Sequence, residues 1–275
     1  MNQDTSLLRM ASQWLLAAIL AVALAVFFLA VVAVQLTSRG TGERILRRAV
    51  AVTTEIDATL PAIESGLHRA AQAGTDNRVR VPDFPIPVEL PRDEALQLQG
   101  EALKARLLNE AASRLYEDGM SAWAAADPQA KQDIEPISTV GALRRGLGII
   151  TEDHHTFIVI AAVLLGLLSL ALAAMLLLAL RSYARLIALG TVTLTVALPS
   201  LAAAIAVRFG FRTAEAETDP FVTGLLKIGV DSMWVPLRFY LAMSTLAFAT
   251  IAVVALIVWW QARAGGQPPA LDTSA

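Results

Sequence analysis

The sequence predicts an all-α integral membrane protein with four transmembrane helices and a helical extramembrane domain inserted between the first and second. Three observations predict it. Of 275 residues, 56% are hydrophobic and 17% charged, against about 45–50% apolar and about 25% charged in soluble domains. The excess is concentrated in four runs of membrane-spanning length, and the segment between the first two runs is long, polar and helically patterned. This balance excludes disordered, collagenous and nucleic-acid-binding classes.

Residues 1–13 form a short tail that the sequence places in the cytoplasm, before the first span, 14–36. The other spans are predicted at 157–180, 186–207 and 239–260. Each is long enough, at about 1.5 Å of rise per residue, to cross about 30 Å of hydrocarbon. Continuous apolarity leaves no polar lumen face for a β-barrel, so the runs must be helices. Small residues at four-residue spacing (Ala17, Ala21 and Ala25; Ala162 and Gly166; Ser169 and Ala173; Ser200 and Ala204) are candidate helix contacts. Pro199 should kink the third span, with Thr195 or a neighbouring helix satisfying the freed carbonyl.

The loops are unequal, and the charge pattern within them conflicts. Arg181 and Arg185, in a five-residue loop, have no acidic neighbour and suit the cytoplasm. Arg39, Arg44, Arg47, Arg48, Arg144 and Arg145 flank the long segment 37–156 and pull the other way. Long segments translocate largely regardless of charge, and Arg9 ahead of a long apolar run reads as an uncleaved signal anchor. The expected arrangement therefore has both termini inside, an integral cytoplasmic (plasma) membrane location and 37–156 outside. The absence of cysteine decides nothing about compartment.

Between residues 37 and 155, 14 Lys and Arg stand against 18 Asp and Glu, which attracts no anionic polymer. Ile45, Ala49, Val52, Ile56, Leu60, Ile63 and Leu67 recur at spacings of three and four, predicting an amphipathic helix that continues from the first span and is kinked or restarted at Pro61. A second helix over 93–123 places Leu96, Leu103, Leu107, Ala111 and Leu115 on one face, and a third is expected over 138–147 with Ser138 as cap. These stripes should face each other in a small bundle, or pair with another subunit. Between the first two helices, Pro82, Pro85, Pro87 and Pro91 forbid a helix. The stretch should be extended, packing across its own helices or offering Phe84, Ile86 and Val88 to a partner.

Residues 208–238 form a second outer loop, in which Asp219 and Pro220 read as a helix start. Phe221, Leu225, Ile228, Met233 and Trp234 toward one side predict an amphipathic helix in the headgroup plane. Trp14, Tyr183, Trp234, Tyr240, Trp259 and Trp260 read as interface anchors. Residues 261–275 read as a disordered cytoplasmic tail.

The search for chemistry returns little. The span interiors contain no Asp, Glu, Lys, Arg or His, which argues against proton-coupled transport and intramembrane proteolysis. No nucleotide-binding or hydrolase motif occurs. Glu152-Asp153-His154-His155 is the one chemical cluster, with His68 the only other histidine. His68, Asp153, His154 and His155 are weak metal candidates, because adjacent histidines on a helix point about 100° apart. Thr151 or Asp153 capping the next span is the simpler reading.

The expected function is therefore non-catalytic and cofactor-free: an accessory, sensing or assembly subunit that acts by binding through its outer domain. Its expected partners are the lipid bilayer and a membrane protein or a second copy, with no nucleic acid. A homo-oligomeric channel or carrier is the alternative, lined by Thr191, Thr193, Thr195, Ser200, Ser244, Thr245 and Thr250. A membrane-surface metalloenzyme is third.

Overall fold

The computed structural model describes residues 2–119, 148, 150–180, 183–214 and 220–264. The elements are α1 (Asn2–Thr37), α2 (Arg39–Thr53), α3 (Ile56–Ala73), β1 (Arg78–Arg80), β2 (Glu89–Pro91), α4 (Arg92–Gln97), α5 (Gly100–Asp118), α6 (Glu152–Ala179), α7 (Ala184–Ala214), α8 (Pro220–Ser232) and α9 (Trp234–Ala264). Four helices are long and apolar enough to cross a membrane: α1, α6, α7 and α9. The chain is thus a predominantly helical, multi-pass membrane protein. It divides into two compact units.

The first unit comprises residues 1–33, 159–209 and 233–275. Its helices meet through a cluster of leucines and alanines and through close approaches at glycine, the kind of contact that small residues permit in lipid. Leu20, Leu176 and Val192 join α1, α6 and α7, with Ala17, Ala21 and Ala173 packed around them. A Cβ at Gly166 would come 3.0 Å from the Phe27 ring, so α6 approaches α1 closely there. At Gly190 a Cβ would meet Ile251 at 2.8 Å and the Ala247 carbonyl at 3.3 Å, which sets the α7–α9 contact. The helix α7 runs through Pro199 without interruption. The Thr195 hydroxyl, expected at the carbonyl freed by that proline, donates instead to the Val192 carbonyl at 2.8 Å.

The second unit comprises residues 34–158 and 210–232. The single long helix expected after the first span is broken twice. At Ser38 the chain bends, and the Ser38 hydroxyl donates to the Gln35 carbonyl at 2.8 Å. The second break falls at Thr54 and Glu55, six residues ahead of Pro61. Thr53 and Thr54 donate their hydroxyls to the Ala49 and Val50 carbonyls at 2.8 Å, an alternative to helix bonding that threonine favours. Glu55 then takes a left-handed φ of 45°. Pro61 lies inside α3, where it forgoes one hydrogen bond close to the helix start.

The helix expected over 93–123 is also two. Leu98 and Gln99 are extended, and Gly100 adopts a φ of +52° that glycine tolerates without strain. The break resets the register, so Leu96 is exposed while Leu103, Leu107, Ala111 and Leu115 are buried. The helix expected over 138–147 lies outside the described residues.

The proline-rich stretch is more ordered than a linker. Strands β1 and β2 pair antiparallel with Val79 opposite Leu90, and the Val81 amide extends the ladder by donating to the Val88 carbonyl at 2.9 Å. The prolines fall in the connection and at the strand end, where a missing N–H costs no ladder bond. Leu46, Val50, Ile56, Leu67, Ile86, Val88, Leu90, Leu103 and Leu107 form one buried core drawn from α2, α3, the hairpin and α5.

Helix α8 also belongs to this unit. It packs on α2: a Cβ at Gly224 would come 2.8 Å from Val52, and Ile228 lies against the unit's core. Arg48 pairs with Asp231 across the contact. Trp234, grouped with this helix in the sequence, begins α9, because the chain turns at Met233. Asp219, its expected cap, lies outside the described residues.

Candidate functional site

The second unit carries a group of convergent buried polar side chains where the end of α1 meets α5 and the start of α6. The sequence supplies Thr37 as the last residue of α1, Tyr116 near the end of α5 and Thr151 just ahead of α6. All three are buried, at 5%, 2% and 8% exposure. Buried polar groups must be hydrogen-bonded, and these are. The Tyr116 hydroxyl donates to the Thr37 carbonyl at 3.0 Å, satisfying an acceptor that the end of α1 leaves open. Thr37 Oγ1 shares a 3.0 Å hydrogen bond with His155 Nδ1.

Thr151 caps α6. Its hydroxyl accepts from the His154 amide at 3.4 Å and lies 2.7 Å from His154 Nδ1, while its carbonyl accepts from the His155 amide at 2.9 Å. Glu152 and Asp153 then fill the first turn, where carboxylates complement the helix dipole. Packing around this node is close. A Cβ at Gly42 would lie 2.8 Å from Ile150 and 3.1 Å from the Tyr116 ring, and one at Gly119 would lie 3.2 Å from Thr151. Gly119 also needs glycine for its φ of +62°. Burial pushes the Tyr116 phenol above its ordinary pKa, with the Glu152 and Glu43 carboxylates adding to the shift and the Arg39 guanidinium opposing it.

The structure does not gather the metal candidates. Among the described residues no group of three or more His, Asp or Glu side chains is placed to hold an ion. Asp153, His154 and His155 lie in the first turn of α6, with both histidine Nδ1 atoms against threonine hydroxyls. His68 lies on α3, its Nε2 buried without a hydrogen-bond partner. Phe84, Ile86 and Val88, offered by the sequence to a partner, are buried in this unit's own core at 7%, 0% and 0% exposure.

In the first unit, several of the hydroxyls proposed as a polar path turn back on their own helices, and Ser200 on α7 also shares a hydrogen bond with Tyr240 on α9. Thr193 donates to the Leu189 carbonyl, Ser200 to Val196, Thr245 to Leu241 and Thr250 to Leu246, at 2.8–2.9 Å. Ser244 is buried with no partner for its hydroxyl. Comparison with protein-family models, with curated proteins and with solved structures finds no match for this chain.

What the sequence reading missed is the tyrosine. Tyr116 lies 79 residues from its acceptor, and its only signal was a hydroxyl on the apolar face of α5, beside Leu115 and Ala112.

Proposed function

We propose that this protein is a non-catalytic accessory, sensing or assembly subunit of the cytoplasmic membrane. It acts by binding through the helical domain between its first and second spans. Both termini face the cytoplasm in this reading, and residues 37–156 with the 208–238 loop face outward. One observation carries it: the four span interiors hold no Asp, Glu, Lys, Arg or His, and Thr193, Thr195, Ser200, Thr245 and Thr250 donate their hydroxyls to the backbone of their own helices. Ion and proton paths are built from the charged groups missing here. The polar capacity of the chain lies instead in the second unit.

The test is extraction of the full chain from native membranes in mild detergent, with intact-complex mass determination of what co-purifies. A reproducible hetero-complex of fixed stoichiometry is expected. A closed homo-oligomer that passes ions or solutes in reconstituted vesicles would overturn the reading. For orientation, protease added outside intact cells should cleave within residues 37–156 and spare both termini; protection of that segment reverses the topology.

A further inference from the structure

Several arginines of the second unit find carboxylates: Arg39 pairs with Glu43 and Glu117, Arg106 with Glu94 and Glu110, Arg48 with Asp231. Two arginines of the first unit do not. Arg208 follows the apolar run of α7 and Arg238 precedes that of α9, and both stack on one indole. Their guanidinium carbons lie 4.8 and 4.9 Å from the centroid of the Trp234 ring. Among the described residues neither meets a carboxylate. The two charges are thus no more than about 10 Å apart, one Debye length in 0.1 M salt, and they repel.

An indole face orders a guanidinium without consuming its N–H edge. That edge is the part that grips phosphate in a two-pronged, planar fashion, a geometry lysine lacks. Two such edges ordered on one ring, with no carboxylate at hand among the described residues, are a receptor for one anion. Their position selects which anion. Both arginines sit where an apolar run ends, the level at which tryptophan and arginine meet headgroups. Next in sequence to Arg238, Phe239 stacks edge-on against Phe28 at 5.4 Å and against Tyr240 at 5.5 Å.

We propose that Arg208 and Arg238, ordered by Trp234, form a phosphate-binding site occupied by the phosphodiester of an anionic lipid. The site needs nothing from the second unit, so it stands or falls independently of the binding role argued above.

The experiment uses the full chain in mild detergent, titrated with phosphatidylglycerol or with phosphatidylcholine, and native mass spectrometry to count lipid retained. At least tenfold better retention of phosphatidylglycerol is expected. Arg208→Gln and Arg238→Gln should each lower it roughly fivefold, and the double variant should lose the preference. A double Arg→Lys variant keeps both charges, and should retain a reduced preference because it loses the planar grip. Millimolar inorganic phosphate distinguishes the sources: failure to displace the lipid assigns the site to the headgroup, and displacement assigns it to free phosphate. Equal retention of the two lipids by the unmodified chain overturns the proposal. So does undiminished preference in a double Gln variant that elutes as the unmodified chain does. Full preference in the double Lys variant overturns the ordered site in favour of diffuse surface charge.

Discussion

The two units hold similar apolar residues and place them oppositely. In the second, leucines point inward: Leu46, Leu67, Leu90, Leu103 and Leu107 are each at most 1% exposed. In the first, many leucines point outward: Leu170 is 68% exposed, Leu178 81% and Leu256 62%, while contacts between helices combine a small cluster around Leu20 and Leu176 with close approaches at Gly166 and Gly190. The difference follows from the solvent. Water drives apolar surface together, so the second unit builds a core. Hydrocarbon gives leucine no reason to leave it, so the first unit packs wherever backbones approach closely.

Removing a core leucine of the second unit should therefore hurt far more than removing an outward-facing leucine of the first. Leu107→Ala opens a void in the second unit's core and should cost about 2–5 kcal/mol, read as a fall in the thermal midpoint of the full chain in detergent. Leu178→Ala removes as many atoms from a surface that lipid covers, and should change that midpoint little. Equal losses from the two would break the comparison.

Adding an atom sharpens it at the next level down. Gly42→Ala places a methyl against Ile150 and Tyr116, and overpacking of this kind costs about 1–3 kcal/mol. Two residues earlier on the same helix, Gly40 has open space around its missing Cβ. Gly40→Ala should be neutral or slightly stabilising, since alanine is the better helix former. The pair measures local fit with helix propensity held constant. A Gly42→Ala protein as stable as Gly40→Ala would mean that the node at α6 is loosely packed.

How much of this was legible depends on the range of the interaction. The four spans announce themselves through composition over twenty residues, and α8 through Asp219-Pro220 and its apolar spacing. The breaks at Thr54 and Leu98 were not legible. Apolar periodicity runs across both, and what ends the helices is threonine hydroxyls bonding their own backbone and a positive φ at Gly100. Proline was overvalued: Pro61 is accommodated and the prolines of 82–91 frame a hairpin. At the candidate node, Thr151 as cap was readable from neighbouring residues. The Tyr116 contact with Thr37, the burial of Phe84, Ile86 and Val88, and the meeting of Arg208 with Trp234 needed tertiary structure.

Tyr116 also gives the second unit a pH dependence that follows from its burial. Tyr116→Phe keeps the ring and removes the bond to the Thr37 carbonyl, for a loss of about 1 kcal/mol near neutral pH. The folded protein holds the phenol protonated to higher pH than the unfolded chain does. Its contribution is therefore complete below the ordinary tyrosine pKa of about 10 and is lost as pH rises from there through the folded value. Thermal midpoints taken from pH 8 to 11 should fall more steeply in the unmodified chain than in Tyr116→Phe. Parallel curves would show that this phenol is not the group responsible.

The smallest effect is expected where the second unit meets water. Arg48 and Asp231 pair between α2 and α8, yet their side chains are 55% and 57% exposed. Exposed pairs of this kind contribute at most about 1 kcal/mol, because water and salt screen the attraction and two long side chains must be ordered. The double-mutant cycle of Arg48→Gln and Asp231→Asn should give a coupling within that bound, shrinking further in 0.5 M salt. A larger, salt-resistant coupling would mean that the charges tie α8 to α2. The expected outcome leaves that work to the contact of Gly224 with Val52, so Gly224→Val should loosen α8 more than loss of the ion pair does. Hydrogen exchange along residues 222–232 measures both.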